Sequence, residues 1–232
     1  MAQPMRSSQL LTALRAEGLR VETIPGWAKN NRNGSGKVRR QWGPLNGVMI
    51  HHTATGEKNV VDLCAKGYAG LPGPLCHGVI HKDGRVTLVG WGRANHAGLG
   101  DVRVLNAVIR EAKKRPKPGR GTVDGNPRFV GFECVNLGDG KDEWPAVQYE
   151  AMVRAAAAIC RFYGWNANSV IGHLEWTNQK IDPRGFSMDK FRMDVTARLK
   201  KKPSAKARAT VVRLRPRQRV RLRCRSELAV AA

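Results

Sequence analysis

Two histidines stand side by side where an apolar run meets a polar turn, in Met49-Ile50-His51-His52-Thr53-Ala54-Thr55. A similar place lies far downstream, in Gly172-His173-Leu174-Glu175-Trp176 followed by Lys180-Ile181-Asp182-Pro183. One histidine from the first element, with a histidine and an aspartate from the second, makes a set of three ligands. Such a set suits a zinc ion whose fourth position is open to water. An open position means hydrolysis, whereas a closed four-ligand site usually means structure. Neighbouring residues on a strand point to opposite faces, so only one of His51 and His52 easily enters a shared site. The other packs, or hydrogen-bonds behind the first. His173 and Asp182 can be brought to one point by the loop between them. Each residue also has a plain reading: Asp182 as a turn or cap residue before Pro183, Lys180 as a solvated lysine. An ammonium beside a metal is costly unless it serves the chemistry, for example by stabilising an oxyanion.

These residues need elements to position them. Gly47 to His51 reads as a short apolar strand, and Val170-Ile171 leads into the second histidine. Leu19 to Ile24 and Phe129 to Val135 read as further strands. Cys76 to His81 and Arg85 to Val89 form a hairpin around Lys82-Asp83-Gly84. Ser7 or Ser8 is expected to cap a helix with Leu10, Leu11 and Leu14 on one face. Asn59 to Lys66 and Ala107 to Lys114 read as short helices. Gln148 to Tyr163 is the clearest helix, with Ala151, Met152, Ala155, Ile159 and Phe162 on a shared face and Gly164 at its end. Ser187 caps a last helix carrying Met188, Phe191, Val195 and Leu199. Residues 26–45, 92–101 and 115–125 read as loops. Strands and helices mix without a strict βαβ rhythm, which predicts an α/β fold with a central mixed β-sheet flanked by helices.

The 232 residues suffice for one core with extensions. The net charge of +23 is uneven: residues 200–232 hold 12 Lys/Arg against the single acid Glu227. That segment reads as a disordered cationic tail that seeks polyanions. Five cysteines, Cys64, Cys76, Cys134, Cys160 and Cys224, form no Cys-x-x-Cys pair. Buried free thiols are expected, above all at Cys64 and Cys160, rather than a disulfide framework. No run approaches the roughly 20 apolar residues of a membrane span, and the first residues lack the apolar core of a secretory signal. The expectation is a product that begins in a cytoplasm. Residues 1–45 read as an N-terminal helix and basic arm, 46–199 as the catalytic domain and 200–232 as the tail.

Five motifs occur in order: His51-His52-Thr53-Ala54-Thr55, Lys82-Asp83-Gly84-Arg85-Val86, Asn95-His96-Ala97-Gly98, Val130-Gly131-Phe132-Glu133, and Gly172-His173 with Lys180-Ile181-Asp182-Pro183. Together they resemble the zinc N-acetylmuramoyl-L-alanine amidases, in the family that also includes the peptidoglycan recognition proteins. The resemblance covers residues 45–195. The segment with Trp27, Asn30-Asn31-Arg32-Asn33 and Trp42-Gly43-Pro44 further resembles endolysins of phages infecting actinobacteria.

The resemblance implies zinc held by His51, His173 and Asp182. It implies Lys180 as an aid to catalysis, Glu133 as catalytic base and His96 in the substrate groove. The implied reaction cleaves the amide between N-acetylmuramic acid and L-alanine of the peptidoglycan stem peptide. The implied setting is a phage endolysin waiting in the host cytoplasm, a prophage or bacterial remodelling enzyme being the alternative. A monomer is expected, and the charge of residues 200–232 suits attraction to anionic wall polymers or membrane. One departure stands out. Several members carry a tyrosine before the histidine at 77, where this chain has Cys76. The phenol's role is then dispensable, or is covered by Glu133 or a water, or Cys76 itself approaches the zinc. A non-catalytic peptidoglycan-binding module and a nucleic-acid binder are the rival readings. The first is disfavoured by the presence of all three candidate ligands, the second by the lack of a nucleic-acid fold motif.

Overall fold

The computed structural model describes residues 2–34 and 41–203. The expected cationic tail falls outside the described residues from 204 onward, as does part of the basic arm, 35–40.

Helix α1 (Ser7–Ala16) begins at Arg6, not at a serine. Ser7 and Ser8 lie inside its first turn, and Gln9 Oε1 accepts the Arg6 N–H at 2.8 Å. The expected serine cap is therefore corrected: a glutamine reaching back secures the start. Strand β1 (Val21–Thr23) follows, then β2 (Gly47–His52), buried along its whole length. Helix α2 (Val60–Lys66) leads into a small hairpin, β3 (Gly67–Tyr68) with β4 (Leu71–Pro72). The expected larger hairpin is β5 (Gly78–Ile80) with β6 (Val86–Leu88). Its turn places Gly84 at φ +78°, a conformation that suits glycine.

Strand β7 (Leu99–Gly100) precedes α3 (Val102–Ile109). The sequence pattern places a helix over Ala107 to Lys114, so the observed helix lies closer to the N-terminus. Asp101 explains the shift, because its carboxylate accepts the Arg103 N–H at 2.8 Å and caps the helix there. Val104, Leu105 and Val108 then face inward, whereas the basic residues after Ile109 have no apolar face to bury. Strand β8 (Val123–Asp124) pairs with β7. Strand β9 (Phe129–Cys134), helix α4 (Ala146–Tyr163), strand β10 (Val170–Gly172), the short helix α5 (His173–Trp176) and helix α6 (Met188–Leu199) complete the elements of the described residues. Ser187 caps α6 as its sequence suggests, accepting the Lys190 N–H. Phe162 is exposed, so it leaves the apolar face of α4 expected to include it.

Six strands form one sheet in the order β1-β6-β5-β9-β2-β10. Only β5 and β6 pair antiparallel; the other pairings are parallel, so the sheet is mixed. Side-chain alternation divides its two faces. Val48, Ile50, Val130, Phe132 and Val170 join the core under α1, α4 and α6. Met49, Phe129 and Ile171 join Val104, Val108 and Trp176 on the opposite face. Alanines dominate the buried side of α4 and let its backbone approach the sheet closely.

Glu17 ties the helical layer together. It is 1% exposed, with Oε1 2.7 Å from Arg161 Nε and Oε2 2.6 Å from Arg198 Nε. Arg161 also donates to the carbonyls of Leu199 and Lys201 at the end of α6. Glu17→Ala leaves two guanidinium groups without their counterion. It is expected to cost about 3 kcal/mol, at the low end for a broken buried pair because Arg161 is partly exposed. Urea unfolding with an unchanged m-value is the check; a midpoint equal to the parent's would contradict it. No helix among the described residues is long and apolar enough to cross a membrane.

Candidate functional site

The parallel strands β2, β9 and β10 end together, and their C-terminal ends open onto a cleft of about 560 Å³. Ligands in α/β sheets bind in such places. Register puts His51 opposite Glu133 on adjacent strands, both on the sheet face that carries Met49 and Phe129. His173 is the first residue of α5, immediately after β10. Asp182 arrives from the loop that follows α5. Its backbone carbonyl accepts the Leu174 N–H at 2.7 Å, which pins the loop. His52 points to the other face, and its Nδ1 accepts the Arg184 N–H at 3.2 Å. The histidine pair is thus split: His51 joins Asp182 and His173, while His52 holds the backbone of the loop just after Asp182.

Three donor atoms converge. His51 Nδ1 lies 2.9 Å from Asp182 Oδ2, His173 Nδ1 lies 3.1 Å from the same oxygen, and the two nitrogens are 3.0 Å apart. All three residues are buried. The chemistry of this triangle is decided from behind. His173 Nε2 donates to the Ala97 carbonyl at 3.1 Å, so a neutral His173 presents a lone pair at Nδ1. Burial pushes the His51 imidazole down to about 4, against the opposing pull of the Asp182 carboxylate. Burial also works against the Asp182 carboxylate. The neighbouring His173 and His51 outweigh that and hold it below the usual carboxylate range. With ring protons on the far nitrogens, toward the Ala97 carbonyl and His96, the lone pairs at both Nδ1 atoms face one another and a carboxylate oxygen, an arrangement a divalent cation relieves. Zinc–ligand bonds of about 2.0–2.1 Å in a tetrahedron imply donor separations of about 3.3 Å, close to those observed. The donor set therefore fits zinc with an open fourth position.

Glu133 borders the same cleft. Its Oε2 is enclosed and has no hydrogen-bond partner among the described residues. Burial pushes its carboxyl well above the usual range, with Cys64 and Asp182 adding to the shift and Lys180 opposing it. Such a carboxyl readily holds a proton. Lys180 is exposed and lines the cleft on the loop before Asp182.

His96 also lines the cleft, though it is buried. Both of its ring nitrogens face protein: Nδ1 is 3.0 Å from His51 Nε2, and Nε2 is 3.2 Å from the Phe129 carbonyl. Its loop is fastened by Asn126, whose Oδ1 accepts the N–H groups of His96, Ala97 and Gly98 at 2.9–3.1 Å. Sequence reading did not find Asn126, because its partners lie some thirty residues away. His77 lies behind this layer, its Nδ1 accepting the Gly131 N–H at 2.9 Å and its Nε2 donating to the Gly92 carbonyl.

Cys76 is fully buried in a cluster with Val60, Cys64, Val79 and Val135. Burial pushes its thiol well above the ordinary range, the neighbouring Cys64 adding to the shift. It is outside the ligand triangle and does not line the cleft. Cys64 and Cys160 are buried free thiols, as their sequence context suggests. The cleft rim also holds Tyr68 and Leu71 from the β3–β4 hairpin, two strands too short to carry a sequence pattern.

No curated protein sequence matches the chain significantly. Among solved structures it is similar to a selenomethionine derivative of AmpD, with 18% identity and a TM-score of 0.51, covering 77% of this chain and 94% of that one. It is similar to the Ph2119 endolysin from the Thermus scotoductus MAT2119 bacteriophage Ph2119, with 19% identity, a TM-score of 0.49 and coverage of 76% and 99%. It is also similar to the amidase AmiD from E. coli, solved with an anhydro-N-acetylmuramic acid peptide, with 15% identity, a TM-score of 0.49 and coverage of 71% and 64%. The likeness to AmpD is one of fold. The family model described as N-acetylmuramoyl-L-alanine amidase matches residues 41–185, more than half of the chain. That stretch contains the donor triangle, Glu133 and Lys180, and the chain belongs to the N-acetylmuramoyl-L-alanine amidase family, the peptidoglycan amidases.

Proposed function

We propose that this amidase is zinc-dependent and acts as a phage endolysin on the host cell wall. The observation that supports the zinc reading is the triangle of His51, His173 and Asp182, with edges of 2.9–3.1 Å, in a cleft shared with Glu133 and Lys180. Those three residues would hold the metal. Bound there, zinc supplies Lewis acidity that activates water near neutral pH. Glu133 takes the proton of the attacking water and returns it to the departing L-alanine amine. The Lys180 ammonium offsets negative charge on the carbonyl oxygen of the tetrahedral intermediate. His96 sits beside the substrate groove. The lytic setting rests on the resemblance of the N-terminal segment to phage endolysins. The proposed role of residues 200–232 is attraction to anionic wall polymers or membrane.

Mass spectrometry of digested peptidoglycan tests the reading. New L-alanine amino termini are expected, lost on chelation and restored by added zinc. New reducing ends would instead mean a glycosidase, and full activity after chelation would remove the metal from the scheme. Lys180→Ala is expected to keep the zinc and lower kcat by about 10²–10³, as for removal of one oxyanion donor. Unchanged turnover would rule out its role.

A further inference from the structure

We propose that His96 is a positioning residue for the metal centre, fixing the tautomer in which His51 presents its Nδ1 lone pair to the ion. This inference rests on the zinc reading above. A histidine can offer a lone pair at either ring nitrogen, and the hydrogen bond at one decides which is free. The sequence of contacts begins at the backbone of β9. His96 Nε2 donates to the Phe129 carbonyl, which can only accept. His96 Nδ1 is then an acceptor, 3.0 Å from His51 Nε2. His51 must donate there, which leaves the lone pair at Nδ1, the atom in the ligand triangle. Were His96 flipped or absent, the Asp182 carboxylate, 2.9 Å from His51 Nδ1, would draw the proton to Nδ1 and close the lone pair needed for the metal.

Three further features hold His96 in this pose. Asn126 takes its backbone N–H together with the next two. The His51 and His96 rings meet edge to face, with centroids 5.2 Å apart. Gly131 leaves room for the His96 ring on β9, where a Cβ would overlap its Nδ1 and come within 2.7 Å of Cε1. Gly131 is itself held by the His77 acceptor. The Gly in Val130-Gly131-Phe132-Glu133 and the His in Asn95-His96-Ala97-Gly98 are therefore two halves of one device. Neither nitrogen of His96 is left over for substrate.

The test compares the full chain with His96→Phe, which keeps a ring but loses the acceptor. His96→Asn is the conservative variant, because its side-chain oxygen falls near the place of Nδ1. Zinc affinity is measured by competition with a chelator, and ¹⁵N spectra of the metal-free proteins report the His51 tautomer. His96→Phe is expected to bind zinc about 10–100-fold more weakly, the usual effect of removing a ligand's hydrogen-bond partner. Its His51 should shift toward the form protonated on Nδ1, which the Asp182 carboxylate favours. His96→Asn should restore much of the affinity and the Nε2–H form. Zinc affinity within twofold of the parent in His96→Phe would overturn the proposal. So would a metal-free parent whose His51 carries its proton on Nδ1, a readout that stands even if His96→Phe fails to fold. A parent that takes up no zinc would defeat the zinc reading instead, while its spectrum would still judge the role of His96.

Discussion

His173→Ala is expected to lose zinc and amidase activity together. The residue contributes one of three donors, and its Nδ1 lies within 3.1 Å of both of the others. Alanine leaves His51 and Asp182, two donors on separate elements, which do not retain an ion against water. The lost imidazole also leaves the Ala97 carbonyl without its partner, but His173 lines the cleft, so water can enter the space it vacates. The fold should therefore survive, with far-UV circular dichroism like the parent's. Metal content by mass spectrometry and release of L-alanine amino termini are the two measurements. Stoichiometric zinc in His173→Ala would sink the ligand assignment. Loss of zinc with retained turnover would sink the metal's place in the chemistry.

Glu133→Gln should separate chemistry from metal binding. The substitution keeps size and shape but removes the ability to take up a proton. A positioned general base contributes about 10²–10⁴ in rate, so kcat should fall by that order with zinc content unchanged. The enclosed, unpartnered Oε2 and the upward-shifted carboxyl make this residue costly to bury. The metal-free protein should show that cost. Between the ordinary carboxylate range and the raised folded value, the folded state holds more protons than the unfolded one, so stability falls as pH rises. Glu133→Gln should then be more stable than the parent at neutral pH, with the gap closing toward acid pH. A parent that matches the variant in both turnover and pH profile would leave Glu133 as a spectator. A more stable, inactive variant is the pattern expected where function is maintained at the expense of stability.

Much of the fold was legible because it depends on local alternation. Met49-Ile50-His51-His52 and Phe129 to Cys134 announce strands, and their period of two already separates His51 from His52. The hairpin at Lys82-Asp83-Gly84 and the Ser187 cap are likewise local signals. What was missed depends on competition or distance. Asp101 outbids the later alanine for the start of α3. Gln9, not a serine, secures α1. The bonding of His96 was illegible because its partners, His51 and Phe129, come from strands on either side of it in sequence. Cys76 looked like a missing phenol beside the metal. The structure instead packs it beneath the cleft with Val79 and Val135.

The sheet also sets how this enzyme can be recombined. The family match begins at residue 41 and ends at 185, a tempting unit to graft onto a foreign wall-targeting module. Those limits would discard α1, β1 and α6. Strand β6 would become an unprotected sheet edge. The apolar side of α4 would lose Leu10, Leu14, Phe191 and Val195, and Arg161 would lose its anchor at Glu17. The exchangeable module is therefore longer than the family match suggests. A working chimera keeps the chain from its first helix to the carbonyl of Lys201, where Arg161 closes the last one.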